Sequence, residues 1–192
     1  MPPKVKVTRD EIIETTLDMI RKDGEEGINA RSIAAVIGCS TQPIFSNFSS
    51  MEELLDETKK AAYGIYFSTI EKELNEGKYP QYKSFGMAYI RFANEEKQLF
   101  KWLFMCDRSD GELTHSEDFD ASVELIKNAN GISREKAQLI HLEMWSFVHG
   151  IATMLATSFL KLEWELISDM LTDVYLGIRT RHLTGDNANG SN

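Results

Sequence analysis

The stretch from residue 30 to residue 48 constrains the fold of this chain more than any other. It reads A-R-S-I-A-A-V-I-G-C-S-T-Q-P-I-F-S-N-F, with apolar residues at helical spacing on both sides of Gly38. Glycine tolerates the left-handed conformation that ends many helices, and Pro43 suits the first turn of the next helix, where an amide hydrogen has no partner. The pattern therefore predicts two short helices joined by a tight turn.

The second of these helices is predicted to have an inner and an outer face. Ile44, Phe45 and Phe48 are expected to face inward, and the hydroxyl of Ser40 or Thr41 is expected to cap the helix. The outer residues are short and polar, as suits a helix that enters a major groove of DNA: Thr41, Gln42, Ser46 and Asn47. A helix-turn-helix fits this pattern, and so does an ordinary helical hairpin.

The flanking sequence also predicts helices. Capping boxes begin at Thr8 (T-x-x-E) and at Ser50 (S-x-x-E), and Asn29 is a natural cap for the helix that follows it. The helix from Ser50 to Leu74 is about twice the average length. No Pro-, Gly- or Ser-rich linker divides it, so movement of later residues can be carried rigidly to the N-terminal helices.

The remainder of the chain is predicted to be helical with short breaks. Further helices are expected over residues 81–106 (two helices), 120–130, 133–159 and 164–182. Residues 107–120 are interpreted as a solvated loop, because their acidic residues and glycine do not follow the order of a calcium-binding loop. Residues 185–192, G-D-N-A-N-G-S-N, are polar and expected to be disordered.

The composition indicates a water-soluble protein without catalytic motifs. Of the 192 residues, 42% are hydrophobic and 27% are charged, with no membrane-span run and no signal-peptide core. We therefore expect a cytoplasmic protein. The sequence lacks a phosphate-binding glycine loop, a zinc-ligand spacing and a nucleophile elbow, so neither enzyme activity nor a cofactor or metal is expected. Cys39 and Cys106 are expected to be free thiols.

The net charge of −9 argues against nucleic-acid binding unless positive charge is concentrated locally. The only charged residues among the first nine are Lys4, Lys6 and Arg9, whereas the strongly acidic stretches lie beyond Asp107. DNA binding would therefore rely on this N-terminal arm, on Arg31 and on helix N-termini.

Two parts of the sequence resemble a known family. Residues 27–55, with G-I-N-A-R, I-A, I-G-C-S, I-F-S-N-F and S-M-E-E-L-L in order, resemble the N-terminal domain of TetR-family transcriptional regulators. The family usually has Tyr, His and Lys, which often touch DNA phosphates, where this chain has Phe45, Asn47 and Met51. Residues 145–150, W-S-F-V-H-G, are similar to a W-x-x-x-H-G signature in the C-terminal domain of one subfamily.

The resemblance implies an all-α fold in three segments. Residues 1–50 would form a three-helix DNA-binding domain, residues 51–184 a helical effector-binding and dimerisation domain, and residues 185–192 a disordered tail. The implied partners are a double-stranded DNA operator, a small-molecule effector and a second copy of the chain, with no membrane. The long apolar stripes of the last two helices independently favour a homodimer, since one subunit does not need both.

Two sets of site residues are expected. The DNA-binding set is Lys4, Lys6, Arg31, Ser40, Thr41, Gln42, Pro43, Phe45, Ser46, Asn47 and Met51. The effector-binding set is Tyr66, Phe92, Phe100, Phe104, Met144, Phe147 and His149. Plain core is the alternative interpretation of each effector residue, and a satisfied core histidine is the alternative interpretation of His149.

Two functions remain open from the sequence. The first is a repressor released from a palindromic operator when a small apolar or aromatic molecule changes the tilt of the helix from Ser50 to Leu74. Its two reading heads would lie about 34 Å apart on DNA. The second is a helical ligand-binding or scaffold protein that does not bind DNA, which the departures at Phe45, Asn47 and Met51 favour.

Overall fold

The computed structural model describes residues 7–106 and 117–184 of the chain. Within them, the fold is all-α, as predicted. The helices are α1 (Arg9–Asp23), α2 (Ala30–Ile37), α3 (Gln42–Asn47), α4 (Met51–Glu76), α5 (Gln81–Glu95), α6 (Lys97–Phe104), α7 (Glu117–Asn130), α8 (Arg134–Ala156) and α9 (Trp164–Thr184).

Side-chain caps set the first residues of several helices. The hydroxyl of Thr8 accepts a hydrogen bond from Glu11 N at 3.2 Å at the start of α1. At the start of α2, Asn29 Oδ1 accepts from Ser32 N, and Ser32 Oγ accepts from Asn29 N, each at 3.0 Å. Asn29 and Ser32 thus form a reciprocal capping box, which satisfies amides that have no partner inside the helix.

The cap of α4 differs from the predicted S-x-x-E box. Ser50 Oγ accepts from Glu53 N at 3.1 Å, as the box requires. The carboxylate of Glu53, however, accepts from the amide and the hydroxyl of Ser49, both at 2.7 Å, one residue before the predicted partner. Only half of the predicted box therefore forms between Ser50 and Glu53.

The chain divides into two compact units. The first comprises Met1–Ser68 and Glu96–Cys106, and the second comprises Thr69–Glu95 and Asp107–Asn192. Leu54 of α4, which follows residue 50, is buried in the same core as residues of α2 and α3 and Ile12 of α1. Whether residues 1–50 act as a DNA-binding domain stays a prediction.

The core of the first unit joins four helices. Its buried residues are Ile12, Ala30, Ile33, Ala34, Ile44, Phe48 and Leu54. α6 also belongs to this unit and packs on α1. The side chain of Val36 on α2 is 62% exposed, so it lies outside this core.

The second unit is built on α5, which packs against α8 and α9. Gly86 lies at a close approach of these helices, because a Cβ atom there would lie 3.1 Å from Leu171 of α9 and 3.5 Å from Val148 of α8. Near the end of α4, the buried carboxylate of Glu73 pairs with Arg91 of α5, whose guanidinium carbon lies 4.5 Å from the ring centroid of Trp164. The ion pair with Arg91 offsets part of the cost of burying Glu73, whose Oε2 has no hydrogen-bond partner in the described part of the chain.

A second small core holds α7 against α8. Val123, Ile126, Ala137 and Ile140 are buried in it. Beside it, the hydroxyl of Tyr82 and Nδ1 of His141 share a hydrogen bond of 3.0 Å, and burial lowers the pKa of His141 to about 4. Burial also raises the pKa of Tyr82.

One expectation about α8 needs correction. The helix was predicted to run to residue 159 but ends at Ala156, and Phe159 is 76% exposed in the segment that follows. By length and composition alone, Arg134–Ala156 could cross a membrane, although no membrane-span run was expected from the sequence. The core helix of a soluble protein also passes this test, so the finding is weak evidence.

Candidate nucleic-acid interface

The two helices α2 and α3 meet at the turn predicted from Gly38. This glycine has φ 78° and ψ 32°, the left-handed conformation, and its amide donates to Ala34 O at 2.9 Å. Pro43 lies in the first turn of α3. The local geometry is therefore that of a helix-turn-helix.

The inner face of α3 is narrower than predicted. Ile44 and Phe48 are buried, as expected. Phe45 was also expected to face inward, and this was wrong, since its side chain is 54% exposed. Residues four apart share a helix face, so burying Ile44 and Phe48 turns Phe45 about 100° away from the core.

The outer face of α3 carries polar side chains near its N-terminus. Gln42 and Ser46 are exposed, and the Ser46 hydroxyl donates to the backbone carbonyl of Gln42 at 2.8 Å. Thr41 is the N-cap residue but makes no side-chain cap hydrogen bond, so the predicted capping role of its hydroxyl is not found. Ser40, before it in the turn, is exposed.

Asn47 is turned toward its own helix. Its side-chain amide donates to the carbonyl of Pro43 at 2.8 Å, and the residue is only half-exposed. Its backbone carbonyl accepts from Arg9 Nη1 at 2.6 Å. Asn47 thus contributes to the end of α3 more than to its outer surface.

Arg9 ties α1 to the segment between α3 and α4, a role that the sequence did not reveal. Its guanidinium lies 4.2 Å from the ring centroid of Phe48 and donates to Glu53 at 3.0 Å. The Ser49 hydroxyl and amide, followed by Arg9, hold the pKa of Glu53 down to about 2. Because its charge is paired with Glu53, Arg9 positions α3 and is a poor candidate for a phosphate contact.

The remaining predicted DNA contacts fall into three groups. Arg31 is exposed in the first turn of α2, which makes its side chain accessible. Met51 is partly buried and packs against the core of the first unit. Lys4 and Lys6 lie outside the described residues.

The predicted effector residues separate between the two units. In the first unit, the ring of Phe104 lies 5.3 Å from that of Tyr66 and 5.4 Å from that of Phe100, measured between centroids. The second unit holds Phe92 and Met144, both buried, together with Phe147 and His149, both partly buried. The predicted effector residues are therefore divided between the two units, and their role in binding an effector stays a prediction.

His149 has two close neighbours in the second unit. Tyr89 was not among the predicted residues, yet its hydroxyl lies 2.9 Å from His149 Nδ1. The indole of Trp145 stacks on the imidazole with a centroid separation of 5.1 Å and an interplanar angle of 15°. Trp145 was recognisable from its i, i+4 spacing, whereas Tyr89 is 60 residues away and has no sequence signal.

The thiols and carboxylates of the described residues were compared with the predicted absence of a metal site. In the described ranges, no group of three or more His, Cys, Asp or Glu side chains is placed to hold a metal ion. Cys39 is partly buried against the first core, and Cys106 is exposed. Most of the acidic loop considered as a cation site, residues 107–116, lies outside the described part of the chain.

Comparison with known proteins identifies the fold. No protein-family model and no curated protein matches the sequence. Among solved structures, a TetR-like transcriptional regulator from Rhodococcus sp. RHA1 superposes with a TM-score of 0.67 at 15% identity, over 95% of this chain and 99% of that one. A protein of unknown function from the same organism gives 0.69 at 18% identity, over 94% and 97% of the two chains. This chain has the fold of a TetR-like transcriptional regulator.

Proposed function

We propose that this protein is a DNA-binding transcriptional regulator, a cytoplasmic homodimeric repressor released from a palindromic operator by a small apolar or aromatic molecule. The observation that carries the proposal is the geometry of α3. Ile44 and Phe48 anchor the helix, while Gln42 and Ser46 are exposed on the opposite side. Short polar side chains on a well-anchored helix suit the reading of base edges in a major groove.

The first test concerns base reading. Gln42→Ala should weaken binding to the operator by about 1–3 kcal/mol and leave binding to random DNA almost unchanged, since an amide side chain specifies bases and does not neutralise phosphates. The operator is obtained by selecting duplexes from a random-sequence pool with the wild-type protein. Equal losses on selected and random duplexes would contradict base reading by Gln42.

The second test uses Met51→Lys, which concerns phosphate contacts where Gln42→Ala concerns base contacts. Met51 is the first residue of α4, where helix amides favour an anion. A lysine at this position should tighten binding to any DNA. Each additional phosphate contact changes the salt slope by about 0.9, so Met51→Lys should steepen the slope of a dimer by roughly two units. If Met51→Lys changes neither affinity nor slope while the wild type binds the selected duplex, this helix end does not face the DNA backbone.

The alternative function is helical ligand binding or scaffolding without DNA. Three observations favour it: the side chain of Asn47 bonds to its own helix, Arg9 is paired with Glu53, and Met51 packs on the core. These features remove three sources of phosphate affinity. Failure of the random pool to yield any bound duplex at low salt would decide for this alternative.

Effector release is tested with one variant from each unit. A panel of small aromatic and aliphatic compounds is screened for release of the protein from the selected duplex. Phe104→Ala, in the first unit, or Phe147→Ala, in the second, should weaken the response to an active compound, because each removes apolar contact area. If both variants respond like the wild type, the effector residues proposed here are wrong.

A further inference from the structure

We propose that Phe45 reads the 5-methyl group of a thymine, and that the half-site of the operator contains A·T pairs beside α3. The proposal rests on the proposed function, because it requires α3 to enter a major groove. It adds the identity of the group that is recognised and the residue that recognises it.

The phenyl ring of Phe45 is exposed to solvent. Ile44 and Phe48 bury the inner face of α3, and this leaves the phenyl ring of Phe45 54% exposed in the middle of a six-residue helix. Within the described residues, no aromatic ring stacks on it and no cation lies over it. A large apolar group held in water at a predicted recognition surface gains free energy when a partner covers it.

The partner that covers Phe45 must offer an apolar group. A phenyl ring carries no hydrogen-bond donor, so it cannot bond to a phosphate oxygen as a tyrosine hydroxyl does. The edges of base pairs in the major groove present donors and acceptors, and the only apolar group among them is the thymine methyl. An exposed phenylalanine on a helix in this groove therefore favours thymine over the other three bases.

Gln42 is the neighbour of Phe45 on the same side of the helix. Gln42 lies three residues earlier, so the two side chains are adjacent on the surface of α3. The side chain of Gln42 is exposed, and an amide matches the N6 and N7 edge of adenine. Adenine and thymine are thus the bases that this pair of side chains recognises best.

The hydroxyl of Ser46 does not change this preference. Its hydrogen is donated to the carbonyl of Gln42 at 2.8 Å, so only its acceptor lone pairs remain for DNA. Arg and Lys are the commonest partners of guanine, and α3 (Gln42–Asn47) contains neither. The outer face of α3 therefore has no feature that favours G·C pairs as strongly.

The experiment replaces thymine by deoxyuridine, which lacks only the methyl group. Duplexes selected from a random pool are resynthesised with each thymine of the half-site replaced in turn, and their affinities for the wild-type protein are measured. One position should lose about fourfold in affinity per half-site, and roughly fifteenfold when both half-sites are replaced, as expected for one methyl group each.

Two protein variants complete the test. Phe45→Ala should bind the thymine and deoxyuridine duplexes equally, because the methyl group has lost its partner. Phe67→Ala, which removes an exposed phenyl ring from α4 in the same unit, should discriminate like the wild type. Unchanged thermal melting verifies that both variants are folded, and the deoxyuridine series on the wild type requires no variant at all.

The possible results separate this inference from the proposed function. A methyl preference that disappears in Phe45→Ala supports the inference. If the wild type binds a selected duplex but tolerates deoxyuridine at every position, or if Phe45→Ala keeps the preference, Phe45 does not read thymine and the regulator function still stands. If no duplex is bound at all, both the function and the inference fail.

Discussion

Among single residues, His141 has the clearest consequence for stability. It lies buried between the hydroxyl of Tyr82, at 3.0 Å from Nδ1, and the ring of Phe119, whose centroid is 4.7 Å away. Burial penalises the charged imidazolium and lowers the pKa from 6.5 to about 4. The folded protein therefore holds His141 neutral at a pH where the unfolded chain binds a proton.

The sign of the pH dependence follows from this difference. Because the folded pKa is depressed, stability is fully present above pH 6.5 and falls as the pH drops from 6.5 to about 4, by about 3 kcal/mol from this group. We expect the urea midpoint of the wild type to fall over this range. His141→Gln should fall less steeply, whereas His182→Gln, which retains His141, should keep the wild-type slope. Parallel pH profiles for the wild type and His141→Gln would contradict this prediction.

Residue-scale prediction from the sequence succeeded where local spacing decided the outcome. Asn29 as a helix cap and Trp145 as the face-neighbour of His149 both follow from spacing within one helix turn. The predicted burial of Phe45 was wrong because an apolar residue type was taken as evidence of burial, although the six-residue helix has room for only one buried stripe. Arg9 with Glu53, 44 residues apart, had no local signal.

At the scale of helices, α8 and α9 leave apolar side chains uncovered. Leu139 and Leu142 on α8 and Leu166 and Leu176 on α9 are each about half exposed. Exposed leucines on two long helices are typical of a subunit interface, and a two-fold interface joins like surfaces. They support the homodimer of the proposed function, which would need to bury at least about 1,200 Å² in total.

We expect the protein to be a dimer at micromolar concentration and the double variant Leu142→Glu, Leu176→Glu to be a folded monomer. Both positions are exposed in one chain, so the carboxylates cost little in the monomer and much in an apolar interface. Val36→Glu, at an exposed apolar position on α2, is the matched control and should remain dimeric. Light scattering measures the mass, and a wild-type monomer would refute the homodimer.

Helix existence was largely predictable, whereas helix ends were not. Capping residues and apolar periodicity predicted the course of the helices, and the structure confirms an all-α fold. The end of α8 at Ala156 was missed because Phe159 and Leu160 continue the i, i+4 spacing of Leu155 and Ala156 beyond the last residue of the helix. The helical backbone is interrupted at Ser158, whose φ is 59°, although the sequence has no glycine or proline there.

At the scale of the whole molecule, the packing units were the least predictable feature. α6 belongs to the first unit, although about fifty residues separate it from the end of α3. The helix α4 contributes its first part to one unit and its last turns to the other. A continuous helix has no change in composition at Ser68, so a sequence-based border had to be placed elsewhere.

The absence of charge from α3 has a consequence for how a regulator finds its site. The whole chain carries a net charge of −9, and the helix proposed to enter the groove, Gln42–Asn47, has no charged residue. Attraction to phosphates is what holds most DNA-binding proteins on non-cognate sequence and lets them slide along it. Since a genome offers about 10⁶–10⁹ competing sites, a regulator whose groove helix adds no attraction to phosphates would have more of its copies free in solution. Such a regulator would locate its operator mainly by repeated encounters from solution, and its occupancy there would follow the number of free dimers.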